Sequence, residues 1–110
     1  MHPKAKATPC PVETTLLFIG EKWKVLILRD LFSNGTMRFS ELKKSLTGVT
    51  QKMLTQQLRD MENDKIITRK VYPVVPPKVE YSLTEFGKTL KPVLDSLWNW
   101  GEEFKRNNTK

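Results

Sequence analysis

The chain is short of the residues from which most protein chemistry is built. A single cysteine, Cys10, excludes an internal disulfide and any zinc site made from several cysteines. A single histidine, His2, removes the usual general base and most metal constellations. No GxSxG, P-loop or GxGxxG motif occurs. An enzyme is therefore not expected, nor a cofactor, nor a metal centre. Long hydrophobic runs are missing too. The longest, VLILRDLF at 25–32, is broken by Arg29 and Asp30 and is far too short to span a bilayer. Nothing at the N-terminus reads as a signal peptide. These absences point to a cytoplasmic protein with no membrane partner.

Acid is also scarce, and the scarcity is local. Net charge is +7, from 19 Lys and Arg against 12 Asp and Glu. Between Leu42 and Arg59 there is no Asp or Glu, while Lys43, Lys44, Lys52 and Arg59 all fall there. A small basic domain suggests a polyanionic partner, nucleic acid first and acidic membrane second. The length of 110 residues, with 38% hydrophobic content, suits one soluble domain with one core.

Periodicity then orders the chain. Residues 1–9 read as a disordered N-terminal tail, and Pro11 suits the first turn of a helix with Cys10 near its N-cap. Val12, Leu16 and Ile19 form one apolar face, and Gly20 ends that helix. A second helix, from Lys22 to about Ser33, is apolar around much of its circumference and reads as a central core helix. Asn34-Gly35 closes it. Ser40 is the expected N-cap of a short helix that carries Leu42 and Leu46, with Phe39 packing at its entry.

Next comes VTQKMLTQQLRDME, residues 49–62. Thr50 is the expected N-cap, with Val49 and Leu54 as a hydrophobic staple. Leu54, Leu58 and Met61 make one row. Lys52, Thr55, Gln56 and Arg59 make the opposite one. An ordinary solvated face mixes Glu with Lys. This face offers hydrogen-bonding and cationic groups without acid, as a helix facing phosphates and base edges would. Beyond Lys65 the period changes to that of strands. IITRKVY and VEYSL form a hairpin around a proline-stiffened tip, with Val79, Tyr81 and Leu83 inward. Thr84 caps a last helix, which Pro92 should kink or restart. Its stripe of Phe86, Leu90, Val93, Leu97, Trp100 and Phe104 is close to a heptad seam, and Leu94 and Trp98 widen it.

Helix-turn-helix followed by a hairpin is a winged helix. The fold class expected is mainly α with a small β hairpin, one domain over 10–105, and a C-terminal tail at 106–110. The helix from Thr50 would enter a DNA major groove. Thr50, Gln51, Lys52, Thr55, Gln56 and Arg59 are its candidate DNA-binding residues, with Arg59 mostly on phosphate. Arg38, Lys43, Arg69, Lys70 and Lys78 are candidates for phosphate and wing contacts. A winged-helix adaptor that binds protein instead is the competing reading. It would have no need of an acid-free face.

Four segments carry a resemblance: KWKVLILRDL, RFSELKKSL, VTQKMLTQQLRDME and VYPVVPPKVEYSLTEFGKTL. They resemble the HxlR family of bacterial and archaeal transcriptional regulators, relatives of the MarR group, over about residues 10–104. The resemblance implies a homodimeric regulator that binds double-stranded DNA, with its dimer built from the terminal helices. Leu16, Leu90, Leu94, Leu97, Trp98 and Trp100 are the interface candidates. A two-fold dimer would sit on a near-palindromic operator, most simply as a repressor. A cysteine in a Cys-Pro context near this position resembles the family's redox or electrophile sensors, and Cys10-Pro11 matches it. Helix N-termini favour thiolate chemistry. Two readings of Cys10 thus stand, a sensor of oxidants or electrophiles and an inert thiol.

Overall fold

The computed structural model describes residues 8–108. Residues 1–7 of the tail expected over 1–9, His2 among them, lie outside the described residues. Helix α1 (Pro11–Ile19) leads to α2 (Lys22–Asn34), strand β1 (Met37–Arg38), α3 (Phe39–Ser45) and α4 (Gln51–Asn63). Strands β2 (Ile67–Tyr72) and β3 (Lys78–Leu83), a short α5 (Glu85–Lys88) and the long α6 (Lys91–Asn108) complete the chain.

Helix α2 is the axle, as its apolar circumference predicts. Ile27, Leu28 and Leu31 are fully buried, joined by Leu42 of α3, by Leu46 just past its end and by Leu54, Leu58 and Met61 of α4. The N-terminus of α4 forms as expected. The Met53 amide donates to the Thr50 hydroxyl at 3.0 Å, and Val49 is buried along with Leu54.

Three expectations need correction. The hairpin is part of a three-stranded antiparallel sheet in the order β1-β3-β2, with Met37 opposite Tyr81 and Arg38 opposite Glu80. A strand of two residues carries no readable period, so β1 was invisible to pattern alone. Helix α3 begins at Phe39 rather than after Ser40, because the Glu41 carboxylate reaches back to accept the Arg38 amide at 2.8 Å. Helix α6 continues through Arg106, Asn107 and Asn108, so the helix extends into the expected C-terminal tail.

Pro92 does mark a restart. Helix α5 ends at Lys88, and Pro92 occupies the first turn of α6, where its missing amide costs nothing. Thr84 ties this junction to the wing. Its hydroxyl accepts the Gly87 amide at 2.8 Å and donates to the Ile66 carbonyl at 3.1 Å. Gly87 lies so close to that carbonyl that a Cβ would collide with it.

Candidate nucleic-acid interface

Helix α4 presents two faces of opposite character. Leu54, Leu58 and Met61 point into the core, while Gln51, Lys52, Gln56 and Arg59 are exposed and Thr55 is half-buried between them. Thr50 is exposed at the N-cap, and Lys43 stands exposed on the neighbouring α3. The tight turn between α3 and α4 contains Gly48, whose φ of +93° suits glycine. The helix-turn-helix thus offers one surface of donors and cations.

One side chain of that surface is tethered. Gln56 Nε2 donates to Asp60 Oδ1 at 3.2 Å, one turn along the helix. The other Asp60 oxygen, Oδ2, lies 3.6 Å from Nζ of Lys24, a residue of α2 that is only 4% exposed. Lys24 Nζ is also 3.8 Å from Glu21. Arg59 lines a cleft between α4 and the sheet together with Thr55, Glu62, Arg69 and Tyr81. Arg69 Nε sits 3.5 Å from Glu62 across that cleft. Burial pushes the Tyr81 phenol above its ordinary value, so it stays neutral at physiological pH.

The wing has its own network around Glu80. Tyr72 donates its hydroxyl to Glu80 at 3.0 Å, and Lys78 Nζ approaches the other carboxylate oxygen at 3.4 Å. Lys70 and Lys78 also lie over the Tyr72 ring, 5.0 and 4.7 Å from its centroid. The Tyr72 hydrogen bond, with Lys78 beside it, holds the Glu80 carboxyl below its ordinary value. Arg38 is exposed on β1 opposite Glu80. The basic residues expected from the sequence therefore gather on α3, α4 and the sheet. Arg69, Lys70 and Lys78 are held by local partners.

Sequence reasoning missed those partners: Lys24, Asp60, Glu62, Tyr72 and Glu80. One signal was available for Lys24. A charged side chain on a helix apolar around most of its surface must be buried against a counter-charge or reach past its edge.

The remaining candidates lie elsewhere. Cys10 is exposed, and its carbonyl accepts from the Thr14 amide at 3.0 Å and from the Thr8 hydroxyl at 3.0 Å. Of the interface candidates, Leu90 packs against the core, and Leu94 is half-buried in the seam between α2 and α6. Leu16, Leu97, Trp98 and Trp100 are exposed, the last at 70%. Among the described residues no group of acids, histidines and cysteines could hold a metal, and no helix is long and apolar enough to cross a membrane.

The HxlR-like helix-turn-helix family profile matches residues 18–109. The chain belongs to the HxlR family of winged helix-turn-helix transcriptional regulators. It is 56% identical over 96 residues to the HTH-type transcriptional regulator YdeP of Bacillus subtilis (strain 168), covering 87% of this chain and 74% of YdeP. Among solved structures it resembles the redox regulator HypR in its reduced form, with a TM-score of 0.82 and 49% identity over 88% of this chain and 94% of HypR. The reduced form of the regulator YodB from B. subtilis matches at a TM-score of 0.74 and 35% identity, over 88% of this chain and 95% of YodB. Within the HxlR family a non-catalytic, DNA-binding role is the common ground, and the three-stranded sheet with its two long strands is the wing of that fold.

Proposed function

We propose that this HxlR-family protein is a homodimeric, sequence-specific repressor whose α4 reads a near-palindromic operator. The observation that carries the reading is the exposed face of α4, where Gln51, Lys52, Gln56 and Arg59 stand free of acid until Asp60. Gln51, Lys52, Thr55 and Gln56, nearest the N-terminal half, read base edges. Glutamine suits adenine, lysine suits guanine, and threonine suits a thymine methyl. Arg59, Lys43, Arg38, Arg69, Lys70 and Lys78 hold phosphate, with Thr50 at the helix entry. Arg69 and Lys78 exchange their carboxylate partners for phosphate oxygens as DNA arrives.

Dimerisation uses the terminal helices. Among the described residues α6 has no buried side chain, yet it carries Leu97, Trp98, Trp100 and Phe104 on its surface. That much exposed aromatic surface, with Leu16 and Val12 also exposed on α1, favours a second copy as its cover. Cys10 is the proposed sensor, a reading supported by its exposure and by the likeness to a redox regulator. Two Cys10 thiols of a dimer, or one Cys10 and a small thiol, form a disulfide by giving two protons and two electrons to an oxidant such as diamide.

Fluorescence anisotropy on DNA from upstream of the protein's own gene tests the whole reading, with a shuffled duplex as control at ~0.15 M salt. Preference of about a thousandfold or more supports a regulator. Weak and equal binding to both favours the protein-binding adaptor instead. Diamide should then release the preferred duplex from the wild type and not from Cys10→Ser. Equal release from both would leave Cys10 an inert thiol.

A further inference from the structure

We propose that Lys24 and Asp60 are positioning residues that orient the Gln56 amide for adenine, an inference resting on the base-reading role given to Gln56 above. Three side chains stand in line. Lys24 Nζ is 3.6 Å from Asp60 Oδ2, and Asp60 Oδ1 accepts from Gln56 Nε2 at 3.2 Å. Gln56 and Asp60 are four apart on α4 and share its face. Lys24 arrives from the core helix α2, where its side chain is almost fully buried.

Each link restricts the next. A buried ammonium has few alternative positions and strongly favours keeping a carboxylate beside it. That anchors the Asp60 carboxylate on the otherwise exposed face. An ionised carboxylate only accepts hydrogen bonds, so the NH2 end of the Gln56 amide must turn toward it. The orientation of a free glutamine amide is ambiguous, but that of this one is not. Gln56 keeps its Oε1 and its second N–H for a partner. An acceptor beside a donor complements the N6 amino group and N7 of adenine. A glutamine already held this way also loses less side-chain freedom on binding.

Asp60 has an opposite effect on general affinity. A carboxylate on a DNA-facing surface repels phosphate whatever the sequence. It therefore exchanges non-specific attraction for discrimination. A residue needed only for folding would not separate these two quantities.

The experiment uses the full chain and the tightest duplex that the wild type selects from a random pool. Affinities for that duplex, its single-base-pair variants and a shuffled control are measured for Lys24→Met, Asp60→Ala, Gln56→Ala and the Lys24→Met/Gln56→Ala pair. Lys24→Met leaves no uncompensated positive charge in the core, and Asp60→Ala changes a half-buried position and leaves Glu21 beside Lys24, so one variant remains informative if the other folds poorly. The expected result is a loss of about tenfold in discrimination at one adenine-bearing base pair in Lys24→Met and in Asp60→Ala, at the same base pair that Gln56→Ala affects. Asp60→Ala should at the same time bind the shuffled control more tightly. Adding Lys24→Met to Gln56→Ala should cause no further loss. Full discrimination in Lys24→Met and Asp60→Ala, with a loss in Gln56→Ala, would overturn the relay and leave the base reading intact. Full discrimination in Gln56→Ala would overturn both. A uniform loss of affinity for every duplex would reduce Lys24 and Asp60 to structural residues.

Discussion

Helices α4 and α6 are both amphipathic, and their apolar faces meet opposite fates. In α4, Leu54, Leu58 and Met61 are sealed in the core. In α6, Leu97, Trp98, Trp100 and Phe104 remain exposed, with Trp100 and Phe104 stacked on each other at 5.6 Å between ring centroids. The polar faces differ in the reverse sense. That of α6 is self-satisfied, with Lys91 paired to Asp95 and Arg106 to Glu103. That of α4 offers donors and cations that meet little acid. An amphipathic pattern states that a helix has a face to bury. It does not state against what. One helix buries its apolar side in the fold and leaves its polar side outward, the side proposed above to meet DNA. The other leaves much of its apolar side exposed, the side proposed above to meet a second subunit.

The largest expected effect breaks the buried half of this comparison. Leu54→Ala should lower stability by about 2–5 kcal/mol in chemical denaturation, because it opens a cavity at a fully buried site. The matching change on α6 should behave differently. Trp100→Ala should weaken the proposed dimer by about 2 kcal/mol in sedimentation equilibrium, as truncating an aromatic anchor does, with the stability of the single subunit nearly unchanged. A loss of subunit stability comparable to that of Leu54→Ala would place Trp100 in the core economy of one chain. A smaller effect sharpens the account of how α4 is aimed. Thr50→Ala removes the hydroxyl that accepts the Met53 amide, and should cost about 1 kcal/mol in thermal unfolding.

The smallest effect concerns the wing, where polar contacts are exposed. Glu80 titrates below its ordinary value because of Tyr72 first and Lys78 next. A carboxyl depressed in the folded state contributes stability above its unfolded value, and the contribution fades as pH falls through the folded value. Tyr72→Phe should therefore be slightly less stable than the wild type at pH ~7, and the gap should close in acid, near pH ~3. Denaturation midpoints at the two values measure it. A gap independent of pH would assign the loss to packing of the ring instead.

Legibility followed the length of the signal. The staple of Val49 and Leu54, the N-cap at Thr50 and the two rows of α4 were readable because helix periodicity repeats over 13 residues. The two residues of β1 form a strand only because β3 lies alongside, so no local signal could announce them. The start of α3 moved for a related reason. Ser40 has the better capping side chain, but Glu41 can close the turn from inside the helix. In the candidate site the sequence marked the cations and missed the acids that hold them. Cations cluster along the chain, whereas Glu62 meets Arg69 and Lys24 meets Asp60 only through packing between elements.

By itself, then, the sequence determined the order of the longer elements, the winged-helix class and the face of α4 turned outward, and its segments carried the resemblance to the HxlR family. The first three depend on residue type at short spacing, which hydrophobic burial and capping translate directly into local structure. Tertiary structure alone decided that β1 completes the sheet, that Leu90 joins the core while Trp98 and Trp100 do not, and that Lys24 is buried beside Asp60. Those outcomes depend on which surfaces meet across α2, α4 and α6, and contacts between residues distant in the chain leave no period behind them.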